Sequence, residues 1–196
     1  MLLQASIEIA NAERWALEIG DPPIPPSLQA NLRRNAYEVT VVDALHRVAR
    51  RYFDQHGHRA VWERTFQTGK PGRPESIDIS LFRDATHLET RIELGLYSKS
   101  KLNEDATKLA RLVASVIDGY PTVQNLLILW EISEKKLTRK IVVDAMSAFK
   151  TDADALQIDN GQQEIRPLLA SGIDLFVGKR SASRCATVGL FQLVPQ

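Results

Sequence analysis

Cysteine is nearly missing from this chain of 196 residues, where Cys185 stands alone. An intrachain disulfide and a zinc site built on a cysteine cluster are therefore excluded. An excess of one charge is missing too. With 25 Lys and Arg against 24 Asp and Glu, the formal net charge is +1, so no whole-molecule field draws in polyanions, and contact with nucleic acid would have to come from local clusters. No apolar run approaches the roughly 18 residues of a membrane span. The opening MLLQASIEIANAERW lacks a basic segment, and the expectation is a cytoplasmic protein without a membrane partner. There is no internal repeat and no low-complexity tract. HGH at 56–58 has no Cys or His at zinc spacing, and GKPGRP at 69–74 lacks the spacing and the Lys-Ser/Thr ending of a phosphate loop.

What is present is the composition of an ordinary folded domain, 44% hydrophobic and 25% charged, in a chain long enough to bury one core. The prolines of GDPPIPPS (20–27) mark off residues 1–26 as an N-terminal appendage and linker. A core over 27–133 follows, and 134–196 reads as a helix and strand extension of the same domain. Ser27 caps an expected helix to about residue 55, because Leu28, Leu32, Val39, Val42, Leu45, Ala49 and Phe53 fall on one side at helical spacing. AVWERTFQT, 75–83 and 88–98 read as strands, 103–118 as an amphipathic helix and NLLILWEI (125–132) as a buried strand. The order is α, β, β, β, α, β. SEKKLTRKIVVDAMSAFK then reads as a helix, 151–170 has no clear pattern, and DLFVGKRSASRCATVGLFQLV suggests two strands around a polar turn.

The second and third strands form a hairpin whose register can be read from the turn. Either a four-residue loop at 84–87 or a two-residue loop at 85 and 86 sets Asp78 opposite Glu93, with Cβ atoms about 5 Å apart. Ile77, Ile79 and Leu81, with Ile92, Leu94 and Leu96, are expected on the opposite face. Facing carboxylates repel unless a cation, a proton or a nearby Arg compensates. Mg²⁺ held by one or two carboxylates and by phosphate oxygens would do so. The plainer reading is a solvated face on which Arg91 neutralises Glu93. Glu38 falls inside the apolar arc of its helix, so its carboxylate is expected to face the domain, or to border solvent, since Asn35 and His46 share that arc. In the helix after 102, Asp105 projects with Leu112 and Val116, and Lys101 and Lys108 flank that stripe. Lys135, Lys136, Arg139 and Lys140 in EKKLTRK form a basic cluster on adjacent helical turns, and GKRSASR adds Lys179, Arg180 and Arg184; such clusters can hold phosphates or simply face solvent.

The element order and the acidic positions resemble the PD-(D/E)XK, or restriction-endonuclease-like, nuclease superfamily, over roughly 28–132. The resemblance implies an α/β fold with an αβββαβ core and a mixed sheet. It matches Asp78 in ESIDISLF to the strand-two metal ligand, Glu93 in RIELGLY to the strand-three acid and Glu38 to the first-helix acid. It further implies Mg²⁺ or Mn²⁺ as cofactor, DNA as partner and phosphodiester hydrolysis as the reaction, with a homodimer or a partner subunit left open. The motif departs at Gly95, where the family has a lysine that orients water and offsets developing charge. Lys99 lies too far along the expected strand, so Lys108 is favoured over Lys101 to replace it. The alternative is a catalytically degenerate module that binds nucleic acid or a protein partner.

Overall fold

The computed structural model describes residues 38–39, 41–51, 58–66, 74–112, 119–133, 135–156, 158, 162–177 and 180–195, together with Ile7, and only the backbone at 58, 175–177 and 180–184. Apart from Ile7, the expected appendage lies outside the described residues, as do the Ser27 cap, residues 113–118, most of HGH and GKPGRP and the side chains of GKRSASR.

The chain is α/β, with a six-stranded mixed sheet and, among the described residues, three helices. Helix α1 (38–39 and 41–51) leads to β1 (His58–Phe66), β2 (Glu75–Arg83), β3 (Leu88–Leu96), α2 (Lys99–Leu112), β4 (Thr122–Ser133), α3 (Arg139–Asp154), β5 (Gln163–Val177) and β6 (Arg180–Pro195). The sheet order is β1-β2-β3-β4-β6-β5. Only β3 and β4 are parallel, as α2 carries the chain back across the sheet between them. Because β6 pairs with β4 over Asn125–Ser133, the C-terminal segment continues the same sheet. No helix among the described residues is long and apolar enough to cross a membrane.

Two cores sandwich the sheet. On one face Val41, Val42, Leu45 and Ala49 of α1 pack on Ile79, Leu81, Ile92, Leu94, Ile128 and Trp130. On the other, Leu102, Ala106 and Leu109 of α2 and Phe149 of α3 pack on Ile77, Leu127, Leu129 and Phe191. β4, buried on both faces, is accordingly a near-continuous apolar run.

The hairpin has the four-residue loop. Arg83 pairs with Leu88 and the ladder runs to Ile79 and Ile92, while His87 adopts the left-handed conformation (φ 48°) and its N–H donates to Asp84 O at 3.2 Å. Three expectations need correction. Ile77 does not share a face with Ile79 and Leu81, but joins the opposite core. The paired strand changes faces at the same level: Trp62 stacks toward His46 of α1, whereas Arg64 reaches Glu89 on the α2 side. Between them Glu63 takes a positive φ of 46°, a conformation uncommon for a residue other than glycine. β3 also ends at Leu96 rather than 98, and α2 begins at Lys99 rather than 103. Ser98 explains the early start, since its Oγ accepts the Lys101 N–H at 3.1 Å and its carbonyl the Leu102 N–H at 2.9 Å.

Candidate functional site

Asp78 sits where β2 changes faces. Its Oδ2 accepts the backbone N–H of Leu94 at 2.7 Å, so a side chain takes up the donor next beyond the Ile79–Ile92 pair. Glu93 is 1% exposed on the α2 side. The plainer reading, a solvated face, does not hold: α2 and α3 cover this side of the sheet, and Glu89, Arg91 and Glu93 are all buried. Arg91 commits its guanidinium to Glu89 (Nε to Oε1 and a terminal nitrogen to Oε2, both 3.0 Å) and to the Leu112 carbonyl.

The counter-charges near Glu93 come instead from α2, whose start at Lys99 puts Lys101, Asp105 and Lys108 on one face over the ends of β2 and β3. Lys108 Nζ lies 2.6 Å from Glu93 Oε1 and donates to Ser76 O at 3.1 Å. Lys108 is thus the cation that meets the buried Glu93 Oε1. Lys101 Nζ lies 3.2 Å from Asp105 Oδ2 and 3.3 Å from Glu38 Oε1. Gly95 makes room for this ammonium: a methyl group built there would collide with Lys101 Cε and stand 3.3 Å from Nζ and 3.0 Å from Glu38 Oε1. A lysine arriving from the helix thus fills the volume into which a side chain at position 95 would project, the close approach that a glycine within a strand often marks.

Electrostatics follow from burial and crowding. Burial raises the Asp78 carboxyl above its ordinary value, against the Leu94 hydrogen bond and the two lysines. Glu93 is raised well above the ordinary carboxylate range, first by burial and next by Asp78, although Lys108 opposes this. Asp105 rises to about 6 by burial, against Lys101 and Lys108. For Lys101, burial works downward but is outweighed by Asp105 and Glu38, which hold it above its ordinary value as a permanent cation.

Among the sequence-predicted residues, Asp78, Glu93, Glu38, Lys108 and the alternative Lys101 come together. The basic cluster does not join them. Lys135 and Lys136 precede α3 rather than lying on helical turns, Thr138 caps the helix, and Arg139 and Lys140 open it; all four cations are exposed. Lys140 pairs with Asp144 at 3.2 Å. Helix rise puts Arg139 about 20 Å from Asp152, the residue that meets Lys99 near the site. Lys99 Nζ lies 3.9 Å from Asp152 Oδ1. The sequence reading passed over Trp62 and Glu63, which with Glu38, Val39, Val42 and Asp78 line a cleft of about 170 Å³ beside the acids.

No protein-family model, curated protein or solved structure matches the chain.

Among the described residues, no three His, Cys, Asp or Glu side chains form a metal-binding group. A site for Mg²⁺ requires less, since this ion keeps several waters and takes one or two carboxylates plus substrate phosphate oxygens. Asp78 and Glu93 fit that requirement: burial raises the proton affinity of both, and Asp78 adds to the rise at Glu93. A cation between them would relieve both.

Proposed function

We propose that this chain is a metal-dependent phosphodiesterase acting on DNA, with a restriction-endonuclease-like core formed by α1 to β4. The observation that carries the reading is Lys101 over Gly95. It supplies, from the neighbouring helix, an ammonium where the family resemblance lacks one, beside two carboxylates whose pKa values are raised by burial and proximity. Asp78 and Glu93 would hold Mg²⁺ or Mn²⁺. When bound, the metal would polarise a phosphoryl oxygen and acidify water.

The chain's own residues divide the remaining work. Lys101 stays protonated, so it acts as a fixed positive charge that offsets negative charge developing on the phosphoryl oxygens, rather than as a base. Glu38 and Asp105 fix that ammonium from two sides. Lys108 holds Glu93 while no metal is bound, and phosphate contacts remote from the chemistry fall to Lys135, Lys136, Arg139 and Lys140. The test is cleavage of single-stranded, duplex and branched DNA with Mg²⁺ or Mn²⁺. Wild type should cleave, Asp78→Asn and Glu93→Gln should not, and Lys101→Ala should lose more turnover than Lys108→Ala at saturating DNA.

A second reading is a degenerate module that binds nucleic acid or a protein. The Lys108–Glu93 and Lys101–Asp105 contacts favour it, because they offset two acids without any metal. Absence of cleavage under all these conditions, with no metal bound at Asp78 and Glu93, would select that reading.

A further inference from the structure

The cleft beside Asp78 has a composition that the chemistry above does not use. Its walls are apolar, formed by Val39, Val42 and Trp62, and its polar lining is Glu38, Glu63 and Asp78, with no Lys or Arg among the lining residues. Trp62 is 38% exposed and Val39 54% exposed. Trp62 lies on the edge strand β1, and the His46 ring supports its indole at 5.9 Å between centroids, tilted by 43°. Glu63, with its left-handed φ, marks the point where β1 changes faces, so Trp62 turns to this cleft while Arg64 turns to the other side.

Three acidic side chains and no lining Lys or Arg make the cleft itself a poor place for a phosphate, even with Lys101 meeting Glu38 at 3.3 Å. A flat, uncharged ring bearing amino groups suits both parts of the cleft: it can stack on an exposed indole and donate hydrogen bonds to a carboxylate, as the amino group of cytosine does. Asp78 belongs to both the cleft and the acid pair, which places such a ring next to a phosphate held at Asp78 and Glu93.

We propose that this cleft receives an unstacked nucleobase on Trp62, and that the substrate is therefore DNA with an unpaired base beside the scissile phosphate, as in a single strand, a flap or a frayed end. A base inside a duplex has neighbours on both faces and reaches Trp62 only after unstacking. The position of the phosphate rests on the phosphodiesterase reading, whereas the stack on Trp62 can be tested without catalysis.

The experiment is a titration of the full chain with a labelled single-stranded oligonucleotide and with the matching blunt duplex, in buffer containing Ca²⁺ in place of Mg²⁺. Wild type should prefer the single strand. Trp62→Ala should weaken single-strand binding roughly 5- to 150-fold, the range expected for loss of one base–aromatic stack, and leave duplex binding unchanged. Trp62→Phe should retain most of the affinity. Trp62→Leu keeps apolar bulk without an aromatic face and should behave like alanine, and melting curves would identify a variant that fails to fold. Equal binding of single strand by wild type, alanine and leucine variants would overturn the proposal, as would an equal loss on duplex. The two readings fail differently. Trp62-dependent single-strand binding without cleavage of any DNA sinks only the phosphodiesterase reading, while metal-dependent cleavage that ignores Trp62 and base pairing sinks only this one.

Discussion

Alternate residues of β3 present two charged groups to the same face of the sheet, and they are built in opposite ways. At Glu89 and Arg91 the cations outnumber the acid. Glu89 receives Arg91 through two hydrogen bonds and Arg64 as well, and both guanidinium groups lie over the Phe66 ring, at 4.8 and 4.3 Å. Burial lowers both arginines to about 10, with Arg91 adding to the effect on Arg64. Two pleats further along, the acids outnumber the cations: Glu93, Asp78, Asp105 and Glu38 share Lys101 and Lys108, and the group opens onto the cleft. Planar, bidentate Arg closes the first group, whereas the second relies on Lys, a mobile point charge that can yield to another cation. A closed set of ion pairs fixes the strand, and an under-neutralised set next to it leaves room for a ligand.

The largest test of that contrast is stability. Glu89→Ala strands Arg91 in the core and should cost about 3–5 kcal/mol, whereas Glu93→Gln in metal-free buffer should be neutral or mildly stabilising, as read by chemical denaturation. Equal losses would make both groups structural. Next comes pH. Asp105 titrates at about 6 in the folded chain and at about 3.9 when unfolded, so the native state keeps a proton that the unfolded state releases. The stability contributed is therefore full below about pH 4 and falls as pH rises to about 6, by at most about 3 kcal/mol from this residue. Asp78 and Glu93 are raised too and push in the same direction. Metal-free denaturation should accordingly show higher stability at acid pH and a flatter profile for Asp105→Asn; identical slopes would remove Asp105 from the site's charge balance.

Catalysis sharpens the comparison further. Lys101→Ala should lower turnover about 100-fold at saturating Mg²⁺ and DNA with little change in affinity, the pattern of a lost transition-state contact. Gly95→Ala should approach the same loss by displacing the Lys101 side chain, and unimpaired cleavage by both variants would leave Lys108 as the relevant ammonium. The smallest effect concerns the distant basic cluster. Replacing Lys135, Lys136, Arg139 and Lys140 together should flatten the salt dependence of DNA binding without changing turnover.

Much of this arrangement was legible in the sequence, because a hairpin's register follows from its turn and alternation. Arg83–Leu88 pairing was readable from the short polar loop alone. The face change at Glu63 and Asp78 was not, since nothing local marks a left-handed glutamate within a strand, and it moved Ile77 to the other core. The early start of α2 had a signal, Ser98 as cap, but alternation through Tyr97 and Ser98 masked it. That shift decides which lysine reaches Gly95. A solvated face was the plainer reading for Arg91 and Glu93 because charged residues usually are exposed, and only the tertiary packing of α2 and α3 reveals that these charges, and Glu89 with them, are buried. Only the end of β5 was readable, at DLFV; Pro167 argues against a strand over its first half, yet β5 is an edge strand, where a proline is tolerated.

A divalent cation held by Asp78 and Glu93, as proposed, requires Lys108 to withdraw from Glu93. Anomalous diffraction from crystals soaked in Mn²⁺ tests it most directly. The account predicts a peak between the two carboxylates, with Lys108 Nζ moved away from Glu93 Oε1 and Lys101 still over Gly95. No peak at saturating Mn²⁺, with the Lys108–Glu93 contact intact, would contradict it.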